Sequence, residues 1–106
     1  MRRVRTGYIS AAGSLRFEWD KVKAEANLRL HGVSFDSART TFKDVFAVER
    51  QDDREDYREP RFVTMGKAEN GVILVVVYTE RENRIRIISA RRATRFEEED
   101  YFRQNS

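Results

Sequence analysis

The apolar positions of this chain change rhythm several times, and each change marks an element. Leu15, Phe17 and Trp19 alternate with Arg16, Glu18 and Asp20, the period-two pattern of a strand with one buried face. Asp20 then predicts an N-cap, because its carboxylate can accept backbone N–H groups that the first helical turn leaves unbonded. A helix is expected from Lys21 to about His31, stopped by Gly32, which adopts left-handed backbone without steric penalty. Its apolar residues form two stripes, Val22, Ala26, Leu30 and Ala24, Leu28, which predict a helix covered on more than one side. Ser34 reads as the cap of a shorter helix through Phe42, with Phe35, Ala38 and Phe42 at i, i+3 and i+7 as its buried face.

The second half keeps strand rhythm. Residues 45–50 (with Phe46 and Val48 inward) and residues 61–65 read as strands around a polar, acid-rich loop at 51–60. Asn70 and Gly71 form a turn dipeptide, since both tolerate positive φ. Residues 72–78 are apolar on both faces and are expected to be the central strand. After a turn at 80–83, the last strand, 84–91, sets Ile85, Ile87 and Ser89 against Arg84, Arg86, Ile88 and Ala90. The change of character between Arg86 and Ile88 allows a bulge near its middle, which would re-aim the arginines beyond it. Thr94 and Glu97 have capping-box spacing, so a final helix is expected from 95 to about 103, held to the body by Phe96 with Tyr101 or Phe102. The order βααββββα predicts an α+β fold: an antiparallel sheet with two N-terminal helices packed on it and a C-terminal helix.

Length and charge narrow the reading. With 106 residues the chain has room for a single core, and the small, polar residues 1–14 read as a flexible arm ahead of a domain at 15–106. The 21 Lys+Arg and 18 Asp+Glu leave a net charge of +3, so distribution matters more than the sum. From Arg81 to Arg95 six arginines meet one acid, whereas 51–59 and 97–100 are acidic. Such segregation predicts an anionic partner on one side, or else pairing of the acids with nearby arginines. No cysteine is present, which removes disulfides and thiolate chemistry and suits a reducing cytosol. A single histidine excludes a multi-histidine metal site. No apolar run approaches a membrane span and the N-terminus lacks a signal-peptide core, so a soluble, cytoplasmic protein without a cofactor is expected.

Candidate chemistry centres on RNA. Cleaving it requires charge stabilisation at a phosphorane and proton transfer at two oxygens. Arginine suits the first task because its planar fork binds phosphate oxygens and stays protonated, which makes Arg81, Arg84, Arg86, Arg91 and Arg92 the candidate anion site, or a solvated strand face. His31, the one histidine, is the candidate for proton transfer because of its residue type, or a cation suiting a helix C-terminus. Glu80 is a candidate base, or a turn carboxylate. Tyr78 and Tyr101 could stack on a base or donate a proton, or belong to the core or its rim. Asp52, Asp53, Glu55 and Asp56 could hold a divalent metal, or form a solvated loop. No Gly-rich phosphate loop or nucleophile elbow is present.

The strings Phe17-Glu18-Trp19-Asp20, Asn27-Leu28-Arg29-Leu30-His31-Gly32-Val33-Ser34-Phe35, Tyr78-Thr79-Glu80-Arg81 and Arg84-Ile85-Arg86-Ile87-Ile88-Ser89-Ala90-Arg91-Arg92-Ala93-Thr94 resemble the BrnT family, the toxins of a type II toxin-antitoxin system. The resemblance spans about residues 17–101. It implies a RelE-like fold and a ribonuclease that blocks translation, neutralised by a BrnA-type antitoxin whose ribbon-helix-helix part binds operator DNA. It carries His31, Glu80, Arg81, Arg86, Arg91 and Arg92 over as active positions, of which His31, Glu80, Arg81, Arg91 and Arg92 are read as catalytic and Arg86, together with Arg84, as an RNA contact. The family often has Lys immediately before the His-Gly pair, where this chain has Leu30; if that lysine helps bind RNA, activity here is weaker or Lys21, Lys23 or Arg29 supplies the cation instead. The alternative is a non-catalytic basic module that docks an acidic partner or nucleic acid.

Overall fold

Each expected cap is present and fixes where a helix begins or ends. In the computed structural model, which describes residues 15–55 and 57–105, β1 spans Arg16–Glu18 and α1 spans Lys21–His31. Asp20 accepts hydrogen bonds from the backbone N–H of Val22 and Lys23, and Gly32 closes α1 at φ 68°. The Ser34 hydroxyl caps α2, Phe35–Thr40, which runs into a 3-10 turn at Thr41–Lys43. Three hairpin-linked strands follow, β2 at Val48–Asp52, β3 at Arg61–Lys67 and β4 at Ile73–Arg81, and then β5 at Arg84–Arg92. The reciprocal Thr94–Glu97 capping box starts α3, Arg95–Gln104. Residues 1–14, read above as an arm, and Asp56, read above as a candidate metal ligand or part of a solvated loop, lie outside the described residues.

The sheet has the order β1-β5-β4-β3-β2 with β4 in its middle, as the double-sided apolar run requires. It is mixed, which corrects the expected antiparallel sheet: β1 lies parallel to β5, pairing Arg16 with Arg84 and Glu18 with Arg86. The sequence presents β1 first, and the intervening helices and strands carry the chain back to the same edge before β5 is laid down. The other three pairings are antiparallel.

The bulge is present as well. Tyr78 opposes Ile87 and Val77 opposes Ser89, so Ile88 is the spare residue. An extra residue reverses the alternation of the strand: Ile85, Ile87, Ala90 and Arg92 lie on the helix-side face, while Arg84, Arg86, Ser89 and Arg91 share the other.

On the helix side, Phe35, Ala38 and Phe42 are buried against Val76, Tyr78, Ile85 and Ile87. The rings of Phe17, Phe42 and Tyr78 meet edge to face at centroid distances of 5.2 and 5.0 Å, a geometry that matches positive ring edges to negative faces. The Tyr78 hydroxyl is satisfied in the core by the Glu49 carboxylate at 2.8 Å.

Helix α1 departs from expectation. Its one buried side chain is Asn27, 6% exposed, whereas Val22 and Leu30 are 71% and 77% exposed. The reason is its place at the sheet edge. β1 covers only the first three residues of β5, and α1 then runs beside the rest. There the Asn27 carboxamide donates to the carbonyls of Ala90 (2.8 Å) and Val33 (3.0 Å) and accepts from the Ala90 N–H (3.1 Å). One side chain thus satisfies the strand edge that a neighbouring strand would otherwise satisfy. In α3, Tyr101 is buried and bonds Asp44, while Phe96 and Phe102 are exposed, so Tyr101 is the contact to the body and Phe96 is not. Val45 and Phe46 are likewise exposed ahead of β2.

Candidate nucleic-acid interface

The face of the sheet away from α2 collects cations from several parts of the chain. Register places Arg50 on β2, Arg61 on β3, Arg81 on β4 and Arg84, Arg86 and Arg91 on β5 on this side. Helix α1 adds the stripe Lys23, Asn27 and His31 at i, i+4 and i+8, which aligns with β5 because Asn27 is fastened to Ala90.

Two clefts result. The first, of 270 Å³, is lined by Lys23, Arg58, Glu59, Arg61, Arg81 and Arg86, with Tyr57, Thr79 and Ile88 also at its wall. Thr79 is buried between its cross-strand neighbours Arg61 and Arg86, and its hydroxyl has no hydrogen-bond partner among the described residues. The second cleft, of 180 Å³, brings His31 together with Arg50, Arg54 and Arg91 over Val63, Val75 and Val77. There the arginine stems cover apolar strand residues while the guanidinium groups stay at the surface.

Carboxylates hold these arginines in place. Glu18 lies 3.0 Å from Arg86, 3.3 Å from Arg84 and 3.8 Å from Arg81, and hydrogen bonds from Arg86 and then Arg84 hold its carboxyl below the usual range. Glu59 bonds Arg81 at 2.7 Å, which lowers its carboxyl and raises the Arg81 guanidinium. Glu97 takes both Arg91 Nη atoms at 2.7 and 2.9 Å and also accepts from the Thr94 N–H. The hydrogen bond from Arg91 brings its carboxyl down to about 2. Around the first cleft, Arg84 joins the five lining cations against Glu18 and Glu59, which leaves four uncompensated positive charges. Exposed pairs of this kind contribute little stability each; their effect here is to order a strongly positive surface.

The sequence-derived candidates divide across the two faces. Lys23, Arg81, Arg84, Arg86, Arg91 and His31 share the cationic side. Glu80 opposes Ile85 and Arg92 opposes Leu74, so register puts both on the helix-side face. Lys21 and Arg29 are exposed on α1 and line neither cleft. Tyr78 is a core residue and Tyr101 a helix anchor. Asp52 is buried and held by Arg54 Nε and Nη2, both at 2.8 Å, with Tyr57 adding a longer bond, and among the described residues no three His, Asp or Glu converge on a common point. Arg50, Arg54, Arg58, Arg61 and Glu59 were not among the candidates. Only the alternation of Arg50 and Arg61 with their buried neighbours hinted at a shared face, and nothing local to the sequence aligns those strands with β5.

The comparisons with known proteins agree with this picture of the fold. The crystal structure of the Brucella abortus ribonuclease toxin BrnT, determined at 1.1 Å, matches with a TM-score of 0.57 and 18% identity, covering 76% of this chain and 99% of that one. A search of curated proteins returned no match. The family model described as the ribonuclease toxin BrnT of type II toxin-antitoxin systems matches residues 19–97, a span that contains both clefts' α1 and sheet residues. The chain belongs to the BrnT family of ribonuclease toxins of type II toxin-antitoxin systems.

Proposed function

We propose that this chain is a metal-independent endoribonuclease toxin that cleaves RNA, thereby inhibiting translation in the cytoplasm, and that a BrnA-type antitoxin neutralises it in a hetero-oligomer. On this reading the domain from residue 15 onward is RelE-like, and operator DNA is reached only through the antitoxin. The observation that carries the proposal is the first cleft: Lys23, Arg61, Arg81 and Arg86 converge on one sheet face of a ribonuclease-family chain. Its guanidinium groups suit successive backbone phosphates, and in a partly water-excluded cleft they would stabilise the extra charge of a phosphorane. Arg91 and His31, in the neighbouring cleft, extend the same track. The reactive oxygen is the 2′-hydroxyl of the RNA itself, so no metal-bound water is required for the first step.

The test is RNA cleavage by the purified full chain, alongside growth of cells expressing it with and without the antitoxin encoded beside it. Cleavage and growth arrest are expected from the chain alone, and both should vanish with the antitoxin present. Arg86→Ala combined with Arg91→Ala should abolish cleavage while leaving the melting temperature within a few degrees. Tight nucleic-acid binding without cleavage by the antitoxin-free protein would instead make the surface a non-catalytic docking module.

A further inference from the structure

Of the glutamates around Arg81, Glu80 and Glu59 lie on different sides of the sheet. Glu80 opposes Ile85 on the helix-side face. Glu59, from the loop before β3, lies in the cleft with its Oε1 2.7 Å from Arg81 Nη2. The geometry points to Glu59 as the general base of the cleavage assigned to this cleft, an inference that rests on the endoribonuclease reading above.

The step balances as follows. Glu59 accepts the proton of the 2′-hydroxyl as O2′ forms its bond to phosphorus. The bond from phosphorus to O5′ breaks, and O5′ takes a proton from water. Glu59 then returns its proton to solvent. The products are a 2′,3′-cyclic phosphate and a 5′-hydroxyl, with no net proton consumed.

The surroundings of Glu59 explain how a carboxylate tied to an arginine can act as a base. It faces Arg81 from β4, Arg86 from β5, Arg61 from β3, Lys23 from α1, and Tyr57 and Arg58 from its own loop. In the free protein the hydrogen bond from Arg81, with added charge from Arg86 and Arg61, lowers its affinity for a proton. A phosphate entering the cleft competes for the same guanidinium, whose fork fits two phosphate oxygens. Once Arg81 turns to the phosphate, Glu59 loses its hydrogen bond and becomes more basic, beside the 2′-hydroxyl that must be deprotonated. Glu18 lacks this property: Arg84, Arg86 and Arg81 all lie within 3.8 Å of it, so movement of one arginine does not release it.

The experiment uses the purified full chain and a fluorescent single-stranded RNA of mixed sequence, with Glu59→Gln, Glu59→Asp, Arg86→Ala and, as an acidic surface control, Glu99→Gln. Glu59→Gln is expected to lower kcat on the order of 100-fold or more with KM changed less than about threefold, and to remove the acidic limb of the kcat/KM pH profile. Glu59→Asp should recover part of kcat, and Glu99→Gln should match the parent. Products should carry 2′,3′-cyclic phosphate ends. An acidic limb and near-parental kcat in Glu59→Gln, with cleavage lost in Arg86→Ala, would place the base elsewhere and leave the cleft assignment standing. Near-parental cleavage by both variants would overturn the base and the cleft together. Loss of kcat with an unchanged pH profile would make Glu59 structural and also refute the inference.

Discussion

Replacing Asn27 by the isosteric Asp should destabilise the protein at least as much as replacing it by Ala. The Asn27 side chain is buried, with its Nδ2 3.0 Å from the Val33 carbonyl and 2.8 Å from the Ala90 carbonyl, while Oδ1 accepts from the Ala90 N–H. Truncation to Ala leaves three backbone groups without partners at about 1 kcal/mol or more each, so about 3 kcal/mol in all. The Asp side chain keeps the bond from Ala90 N–H but turns the donor into an anionic oxygen facing two carbonyl oxygens. A buried charge without a partner costs about 3–5 kcal/mol, or forces protonation, which recovers one of the two donated bonds. Urea denaturation of the two variants beside the parent measures the differences, and hydrogen exchange at the Ala90 amide reports the site directly. That amide should exchange much faster in Asn27→Ala and remain relatively protected in Asn27→Asp. A loss below 1 kcal/mol for Asn27→Asp, or an unchanged Ala90 amide in Asn27→Ala, would refute the view that this carboxamide completes the β5 edge.

Three further outcomes are expected. The Glu97 carboxyl titrates at about 2 in the fold against 4.5 ordinarily, so its contribution is full above pH 4.5 and is lost as pH falls through about 2; with Arg91 42% exposed this amounts to about 1 kcal/mol after screening, and the stability gap between parent and Glu97→Gln in denaturant titrations should close over that window. A Cβ added at Gly66 would lie 3.2 Å from both Ala47 Cβ and the Thr41 carbonyl oxygen, neighbours with little freedom to move, so Gly66→Ala should cost about 1–3 kcal/mol in thermal or chemical unfolding. Leu30 is 77% exposed beside His31, so Leu30→Lys should change stability by less than about 0.5 kcal/mol while steepening the salt dependence of single-stranded RNA binding by about 0.7 in log–log slope if it contacts one phosphate; an unchanged slope would place that position off the RNA track.

What the sequence revealed depended on how far apart the deciding residues lie. The caps at Asp20, Gly32, Ser34 and Thr94 were legible because each is decided within one helical turn. The buried face of α2 repeats at a single period, and the bulge at Ile88 showed as a local break in alternation. The parallel pairing of β1 with β5 left no local mark, and it is what makes α1 an edge helix. Val22 and Leu30 therefore read as core residues although the side chains of α1 that meet the protein are Asn27, which is buried, and Ala24, with Lys23 and His31 exposed at the clefts beside them. The same limit applied to the cationic side. Arginines of β5 were evident as a cluster, but strand register across the sheet brought in Arg50 and Arg61, excluded Glu80 and Arg92, and the loop before β3 supplied Glu59.

The spare residue at Ile88 also bears on how this chain can change over generations. Arg86 and Arg91 stand an odd number of positions apart, and a regular strand would send them to opposite sides. Losing one codon there would act on side-chain direction as a frameshift acts on a message: each residue beyond would exchange its surroundings, Arg91 turning toward the core and Ala90 toward the cationic face. Point substitution can adjust this strand by degrees, but shortening it by one residue would rebuild both of its faces in a single step.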